Sequence, residues 1–181
     1  MTWGSERAGA PARLRPIEIS ETSPERYITG FTALNLREPG ELTGDWHYEV
    51  LFYGPADQPA KVPALAGEGG EVDSRPALGR RGVRNMGAEL VRKKIIPAER
   101  PVYFANHNRA IADLVLSTVQ SPGRAVRVAP AVINQWLDTE DQVKDLVRNY
   151  LRPLRGILTV EESAVFEPWL KTVRYESGDR L

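Results

Sequence analysis

The chain has 181 residues, 41% of them hydrophobic and 27% charged, and its 24 Lys and Arg residues balance 24 Asp and Glu residues. This length is enough for one domain with a hydrophobic core, and the zero net charge excludes a whole-chain attraction to nucleic acid or to an anionic membrane. The absence of cysteine excludes disulfides, thiolate nucleophiles and cysteine-based zinc sites. The sequence has no secretory signal and no apolar run of the roughly 18 residues that span a membrane, so we expect a soluble, cytoplasmic protein.

The N-terminal half is predicted to form an arm and a β-hairpin. Residues 1–25 are rich in Gly, Ala, Pro and Arg, which favours a flexible arm with a short strand at 16–19. Residues 27–36 and 46–53 are rich in β-branched and aromatic side chains and are separated by turn residues, so we expect two antiparallel strands. They begin a single domain that covers residues 26–176.

The next segment, residues 54–78, contains four prolines and the glycine-rich tract 67–71 but no sustained periodicity. Unstructured segments of this length inside a domain are usually functional or mobile. We interpret the segment as a mobile loop inserted into the domain, because the hairpin before it is too small to be stable alone.

The C-terminal half is predicted to be mainly helical. Apolar side chains recur at helical spacing in residues 80–95 and 111–119. Thr139 and Thr159 each stand three residues before a Gln or Glu, which is the spacing of a helix capping box, and Pro130 suits the first position of another helix. Together these patterns predict an α+β fold, with a small antiparallel β-sheet in the N-terminal half and a mainly helical C-terminal half.

The strongest site-like chemistry lies where a predicted strand, residues 102–104, leads into a helix. Five polar residues follow it: Asn106, His107, Asn108, Arg109 and Asp113. His107 can act there as a general base, with Arg109 binding an anion and Asp113 orienting one of them. The structural alternative is that one of the asparagines caps the helix and Arg109 pairs with Asp113 one turn later. The residues alone leave both interpretations open.

The other histidine, His47, lies in a second polar group. On the predicted strand 46–53, Asp45, His47 and Glu49 point to the same side, and carboxylate and imidazole groups suit several divalent ions. The alternative is a turn aspartate followed by a strand whose polar side meets solvent or a partner. Because the chain has only two histidines, we assign no metal site and expect no cofactor.

A basic segment provides the third candidate site. Six cations surround the single acid Glu89: Arg80, Arg81, Arg84, Arg92, Lys93 and Lys94. On one helix they can bind an acidic protein surface; alternatively, they form a solvated face that the acidic segment 138–145 compensates. The segment can also bind nucleic acid, but the sequence contains no helix-turn-helix, RRM, KH or zinc-finger pattern that would support such binding. Phosphate-loop, dinucleotide-binding, serine-hydrolase and zincin motifs are also missing from the sequence.

Residues 102–114, VYFANHNRAIADL, resemble the segment of AbiEi-type antitoxins in which a strand ends and an Arg-Ala-x-x-Asp-Leu helix begins. In this chain that motif starts at Arg109 and includes Asp113. The family pairs with nucleotidyltransferase toxins in bacterial toxin–antitoxin and abortive-infection operons. The resemblance therefore implies a bacterial protein that neutralises a toxin by binding it.

Two functional hypotheses from different classes follow. In the first, the chain is a non-enzymatic protein-binding regulator, an antitoxin of a bacterial toxin, that contacts its partner through residues 80–94 and an arm that orders on binding. In the second, it is an enzyme that acts on a phosphate-bearing or nucleotide substrate, with His47 and His107 as acid and base. Arg109 then holds the anion, and Asp45, Glu49 and Asp113 support these groups. This second hypothesis requires the hairpin to lie beside the turn that precedes His107.

Overall fold

A central helix lies against a small mixed β-sheet in the computed structural model, which describes residues 13–41 and 43–176. The strands are β1 (Leu14–Pro16), β2 (Arg26–Ile28), β3 (Tyr53–Pro55), β4 (Leu65–Gly67), β5 (Val83–Asn85) and β6 (Tyr103–Ala105). The helices are α1 (Gly30–Leu34), α2 (Tyr48–Phe52), α3 (Arg75–Leu78), α4 (Gly87–Arg92), α5 (His107–Gln120), α6 (Pro130–Trp136), α7 (Glu140–Asp145) and α8 (Val160–Leu170). A π-helical turn (Leu146–Leu151) and a 3₁₀ turn (Arg152–Gly156) connect α7 to α8. The fold is α+β, as the sequence predicts.

The main sheet has the strand order β4-β2-β6-β5. Its two central strands, β2 and β6, run parallel with Ile28 opposite Phe104, and the outer pairs are antiparallel. Each strand has only three residues, so the stability of the sheet depends on the burial of this central pair. Ile28 is fully buried and Phe104 almost fully buried. Strands β1 and β3 form a separate antiparallel pair, with Leu14 opposite Pro55.

Helix α5 is the centre of the hydrophobic core. Six of its apolar residues have no exposed area: Ala110, Ile111, Ala112, Val115, Leu116 and Val119. Helices α1 and α8, the π-helical turn and β6 pack around it. Buried residues from Ile17 to Leu170 belong to one core, so both halves of the chain fold around the same helix. Burial of this apolar surface is the main contribution that stabilises the fold.

The predicted helix starts are confirmed. Asn106 caps α5, since its Oδ1 accepts the backbone N–H of Arg109 at 2.8 Å. Thr139 and Thr159 form capping boxes at α7 and α8 with the Gln and Glu three residues later. Pro130 is the first residue of α6. Each signal acts within one helical turn, and sequence spacing is therefore enough to find it.

The sequence patterns do not predict the π-helical turn after α7. Pro153, just beyond this turn, has no backbone N–H to donate to the carbonyl of Asn149, four residues earlier. The Asn149 carbonyl instead accepts Nη1 of Arg81 at 2.7 Å. The turn thus presents a backbone acceptor that joins it to the loop before β5.

The predicted hairpin is wrong. Within residues 27–36 the strand β2 ends at Ile28, and the chain turns into α1 at Gly30, which has a positive φ of 66°. Residues 48–52 form helix α2, in which the rings of Tyr48 and Phe52 stack with their centroids 4.8 Å apart. Aromatic side chains four residues apart fit one side of a helix as well as one face of a strand, so the sequence pattern is ambiguous here.

The segment 54–78 is not the unstructured insertion that its composition predicts. It contains β4, which is buried along its length and pairs antiparallel with β2, and the short helix α3. The predicted N-terminal arm, residues 1–25, contains β1, which starts two residues before the strand expected at 16–19. Residues 1–12 of that arm lie outside the described residues.

The predicted helix over residues 80–95 is also wrong. Its first part is β5, paired antiparallel with β6, and α4 starts only at Gly87. Asn85 separates the two elements, because its Oδ1 accepts the backbone N–H of Gly87 at 3.0 Å and that of Val102 at 3.1 Å. The six cations expected on one helix are therefore divided among a loop, a strand and the end of a helix.

Gly67 provides a test of the β2–β4 pairing. Its φ is +88°, and a Cβ added there overlaps the backbone oxygen of Glu25, whereas Gly40 has a φ of +86° with no atom nearby. We expect both Gly→Ala substitutions to cost about 1–2 kcal/mol for the left-handed backbone. Gly67→Ala should cost about 1–3 kcal/mol more because of the overlap. Urea unfolding of the two variants measures the difference, and equal losses would contradict the pairing.

Candidate functional site

The predicted site residues lie in two layers at the N-terminal end of α5. His107 and Asn108 line an open cleft, whereas Arg109 and Asp113 lie beneath it in the core. Helical spacing accounts for this division, because Arg109 and Asp113 are one turn apart on the side of α5 that faces the sheet and α3. The two layers therefore offer different chemistry.

Asp113 is the central acceptor of a buried polar cluster. Its carboxylate accepts hydrogen bonds from the hydroxyls of Thr29 (2.8 Å), Tyr27 (3.4 Å) and Ser74. The Nε of Arg109 lies 3.3 Å from Oδ1. Burial raises the pKa of Asp113, against the lowering effect of Arg109 and of the three hydroxyls. The cluster joins β2, the start of α3 and α5 through one carboxylate.

Arg109 is fully buried, and its guanidinium holds backbone. Nη1 donates to the carbonyl of Gly79 at 3.1 Å and to that of Arg81 at 2.7 Å. The cation also lies 5.0 Å from the ring centre of Tyr27. Nη2 has no hydrogen-bond partner among the residues that the structure describes. The predicted pair with Asp113 is confirmed, but no donor of Arg109 reaches the surface where an anionic substrate would lie.

Above this cluster, a cleft of about 340 Å³ opens at the start of α5. Its lining includes His107, Asn108, Glu41, Arg84 and Asp145. The Nε2 of His107 lies 2.9 Å from the carbonyl of Leu34, which only accepts, so we assign a proton to this nitrogen. Nδ1 then faces Glu41 at 3.5 Å and donates to it in the imidazolium form. This hydrogen bond lowers the pKa of Glu41.

Internal contacts hold two other charged groups of the cleft, Asp145 and Arg84. Asp145 accepts Nδ2 of Asn108 at 2.7 Å and Nδ2 of Asn149 at 2.6 Å, which ties α5 to α7 and the π-helical turn. Arg84 pairs with Glu38 at 3.0 Å, and burial raises the pKa of Glu38. These contacts favour a structural role for the groups that make them.

The structure does not bring the His47 imidazole into this cleft. The backbone N–H of His47 donates to Oδ1 of Asn35 at 2.9 Å, next to the Leu34 carbonyl that contacts His107. The imidazole itself is exposed, makes no hydrogen bond or ion pair within the described residues, and is absent from the cleft lining. The two histidines therefore share an attachment to the end of α1 but not a cleft.

The three residues considered as metal ligands do not share a strand face, because the chain is helical from Tyr48. Asp45 adopts a φ of +67° and pairs with Lys93 at 2.8 Å. Glu49 lies exposed on α2. Within residues 13–41 and 43–176, no group of three or more His, Asp or Glu side chains is placed to hold a metal ion.

The first group of predicted partner-binding cations, Arg80, Arg81 and Arg84, lies in β5 and in the loop before it. Arg80 pairs with Glu25, Arg84 pairs with Glu38, and Arg81 donates to the π-helical turn. The side chains of Arg80 and Arg84 remain 73% and 51% exposed. These guanidinium groups are thus paired but accessible.

The second group lies at the end of α4 and consists of Arg92, Lys93 and Lys94. Arg92 pairs with Glu89 at 2.6 Å, and Lys93 pairs with Asp45 at 2.8 Å. The acids that compensate the basic segment are therefore spread over several elements. The expectation that residues 138–145 compensate it is wrong.

A second cationic surface, on α7 and the π-helical turn, is missing from the sequence-based candidates. There a groove of about 460 Å³ lies against the segment that follows α8, and we call it the cationic groove. Its lining residues are Glu140, Val143, Lys144, Val147, Arg148, Arg152, Val173, Arg174 and Tyr175. A signal for it is present in the sequence, because Lys144, Arg148 and Arg152 are spaced by four residues. The acidic residues Glu140, Asp141 and Asp145 lie in the same stretch, so from the sequence residues 140–152 appear neutral or acidic.

Comparisons with protein-family models, with curated proteins and with solved structures find no match. The resemblance of residues 102–114 to AbiEi-type antitoxins thus has neither support nor contradiction from a relative. In the described part of the chain, no helix combines the length and apolarity needed to cross a membrane. Any proposal about function therefore depends on the contacts described above.

Removal of the Arg109 guanidinium leaves Asp113 and two loop carbonyls without this donor in the core. We expect Arg109→Met to lower the free energy of unfolding by about 3–5 kcal/mol. The matched control is Arg155→Met, which breaks an exposed bidentate pair with Glu167 and should cost far less, because solvent screens this pair. Chemical denaturation measures both, and a small, equal loss in the two variants would show that the buried pair does not hold the fold.

The His107–Glu41 contact predicts a pH effect. In its imidazolium form, His107 lowers the folded pKa of Glu41. While His107 is protonated, the contact therefore stabilises the fold above the unfolded pKa of Glu41, and this stabilisation is lost as the pH falls through the folded pKa of Glu41. We expect His107→Gln to return the pKa of Glu41 toward its usual range in an NMR titration of the carboxyl group. His47→Gln, at the exposed imidazole, should leave that pKa unchanged. The same Glu41 pKa in both variants would refute the contact.

Proposed function

We propose that this chain is a cytoplasmic, non-enzymatic regulator that acts by binding another protein, and that the partner is a bacterial toxin. The observation that carries the proposal is the use of Arg109. The most site-like residue of the sequence is buried and holds the backbone of the loop that presents Arg80 and Arg81. We call the exposed segment 79–82, which carries Arg80 and Arg81, the basic loop. A buried group that fixes this loop is better suited to support the binding of a partner than to take part in catalysis.

The loop between α3 and β5 is fixed at several points. Gly79 and Gly82 have φ values of +54° and +75°, which favour glycine. The Gly82 carbonyl accepts the backbone N–H of Asn106 at 2.6 Å, and a Cβ on Gly82 would lie only 2.6 Å from Oδ1 of Asn106. Such a loop loses little conformational entropy when it binds a partner. Arg80 and Arg81 are therefore carried by a loop whose backbone is already held in one conformation before a partner binds.

The cations of this loop, Arg80 and Arg81, and Arg84 of the adjoining strand β5 suit an acidic protein surface. Guanidinium groups bind carboxylates in a planar, bidentate arrangement. The pairs of Arg80 with Glu25 and of Arg84 with Glu38 leave both arginines largely exposed, and exposed ion pairs add little stability. A partner that supplies carboxylates can therefore replace these internal acids at low energetic cost.

The enzymatic alternative has less geometric support. It needs His47 and His107 to exchange protons on one substrate, yet only His107 lines the cleft. It also needs an anion-binding donor from Arg109, whose Nε and Nη1 are bonded to Asp113 and to loop carbonyls. A protein-binding role requires neither condition.

The resemblance of residues 102–114 to AbiEi-type antitoxins narrows the proposal. In that family the strand-to-helix segment belongs to proteins that pair with nucleotidyltransferase toxins. Here the same segment supplies Arg109, which supports the basic loop. We therefore propose a toxin of this class as the partner, and a pull-down from the native host tests its identity directly.

Reversal of charge on the loop tests the binding surface. We expect the triple variant Arg80→Glu, Arg81→Glu and Arg84→Glu to weaken binding of the recovered partner by about tenfold or more in calorimetry. Each reversal places a new carboxylate of this chain against a carboxylate of the acidic partner surface. The control variant makes the same charge change elsewhere on the surface, at Arg100, Arg124 and Arg127, and should bind as the wild type does. Unchanged affinity in the loop variant would refute the proposed surface.

A further inference from the structure

The cationic groove carries an inference about the partner. We propose that this groove binds a short acidic segment of a partner protein, with carboxylates on its arginines and apolar side chains on its valine floor. This inference rests on the proposed protein-binding function and adds the chemistry of the bound segment. It concerns a surface formed by α7, the π-helical turn and the residues after α8, separate from the basic loop.

The charge of the groove favours an anionic occupant. Among the described residues, four cations line it against one carboxylate, Glu140, which already pairs with Lys144 at 3.0 Å. Arg148 and Arg152 are exposed and form no ion pair with any other described residue. Two guanidinium groups are thus available to acidic groups from outside, and carboxylates match their planar donor geometry.

The floor of the groove favours a peptide over a nucleic acid. Val143 and Val147 lie one turn apart on one wall, and Val173 lies on the other. Tyr175 is the only aromatic residue of the lining within the described part of the chain, and its hydroxyl donates to the carbonyl of Asp138 at 3.1 Å. Single-stranded nucleic acids bind basic grooves through phosphates and stacked bases, and this lining offers no series of aromatic platforms. Valine side chains instead suit aliphatic anchors.

The shape of the groove sets the length of the segment. Lys144, Arg148 and Arg152 follow one another at four-residue spacing from the end of α7 through the π-helical turn, a span on the order of 10 Å that an extended peptide of about three or four residues covers. The opposite wall is held in place by Asn134, which donates to the carbonyl of Arg174 at 3.3 Å. The π-helical turn that carries Arg148 is a geometry found frequently at functional sites.

The test uses the full chain and a fluorescein-labelled peptide of about eight residues composed of Glu, Asp and Leu. A peptide of Lys and Leu and a single-stranded oligonucleotide serve as comparison probes in fluorescence anisotropy. We expect the acidic peptide to bind the wild type, and Arg148→Glu/Arg152→Glu to lose about tenfold or more of that affinity. The matched control Arg124→Glu/Arg127→Glu changes the same charge outside the groove and should retain it. Circular-dichroism melting verifies that both variants fold.

Three results would overturn the proposal. The first is peptide binding that the groove variant retains or that both variants lose equally. The second is tighter binding of the oligonucleotide than of the peptide, lost in the groove variant, which would assign the groove to nucleic acid. The third is a chain ending at Glu176 that binds the peptide about tenfold more tightly than the full chain does, which would assign the groove to the chain's own last residues.

The groove and the basic loop can fail independently. If the groove variant keeps the peptide while the loop variant loses the native partner, the proposed function stands and the groove inference is wrong. If the groove variant loses the peptide while the loop variant keeps the partner, the groove inference stands and the loop is not the main contact. Loss of the native partner in both variants is the result expected when the two surfaces act together.

Discussion

The buried ion pair between Arg109 and Asp113 is the interaction on which the other contacts of the site depend. Desolvation of two charges is costly, so such a pair depends on further hydrogen bonds that offset part of the cost. Three hydroxyls donate to Asp113, and Nη1 of Arg109 donates to two loop carbonyls, whereas its Nη2 has no partner among the described residues. These donors and acceptors come from β2, the approaches to α1 and α3, and the loop before β5. One turn of α5 thereby fixes two stretches that are distant from it in the sequence, residues 27–29 and 74–81.

This arrangement separates polar chemistry from the surface that presents charge. The residues from Asn106 to Asp113 have the composition of a catalytic site, yet most of their polar atoms position backbone or cap a helix. The loop that they position is exposed. Arg109 donates to the carbonyl of Arg81, while the exposed side chain of Arg81 donates to the carbonyl of Asn149. That second bond reaches the π-helical turn, which forms one wall of the cationic groove. The basic loop and the groove are therefore attached to the same buried support.

The sequence predicts the local features of this fold and fails at its long-range pairings. The Asn106 cap, the two threonine capping boxes and the Arg109–Asp113 pair each lie within four residues, so helical geometry alone defines them. The strands have three residues each and show no period of their own. The pairing of Ile28 with Phe104 depends on which surfaces are buried together. The α+β class is therefore predictable, whereas the actual structures of residues 27–53 and 54–78 are not.

The sequence is also a poor guide to which cationic surface is free to bind a partner, because ion pairs, like strand pairs, form between distant parts of the chain. Residues 80–94 form the densest run of cations, but a strand and a short helix divide the run. Acids from other parts of the chain pair with three of its six cations, and Glu89 of the same helix pairs with Arg92. Glu140, Asp141 and Asp145 lie close in sequence to Lys144, Arg148 and Arg152, so this stretch appears balanced. A spacing of four residues nevertheless brings the three cations to one groove, together with valines of α7 and of the π-helical turn. The surface that remains available to an acidic partner is therefore set by helical period and by pairing within the fold, and the number of cations in a stretch of sequence is a poor guide to it.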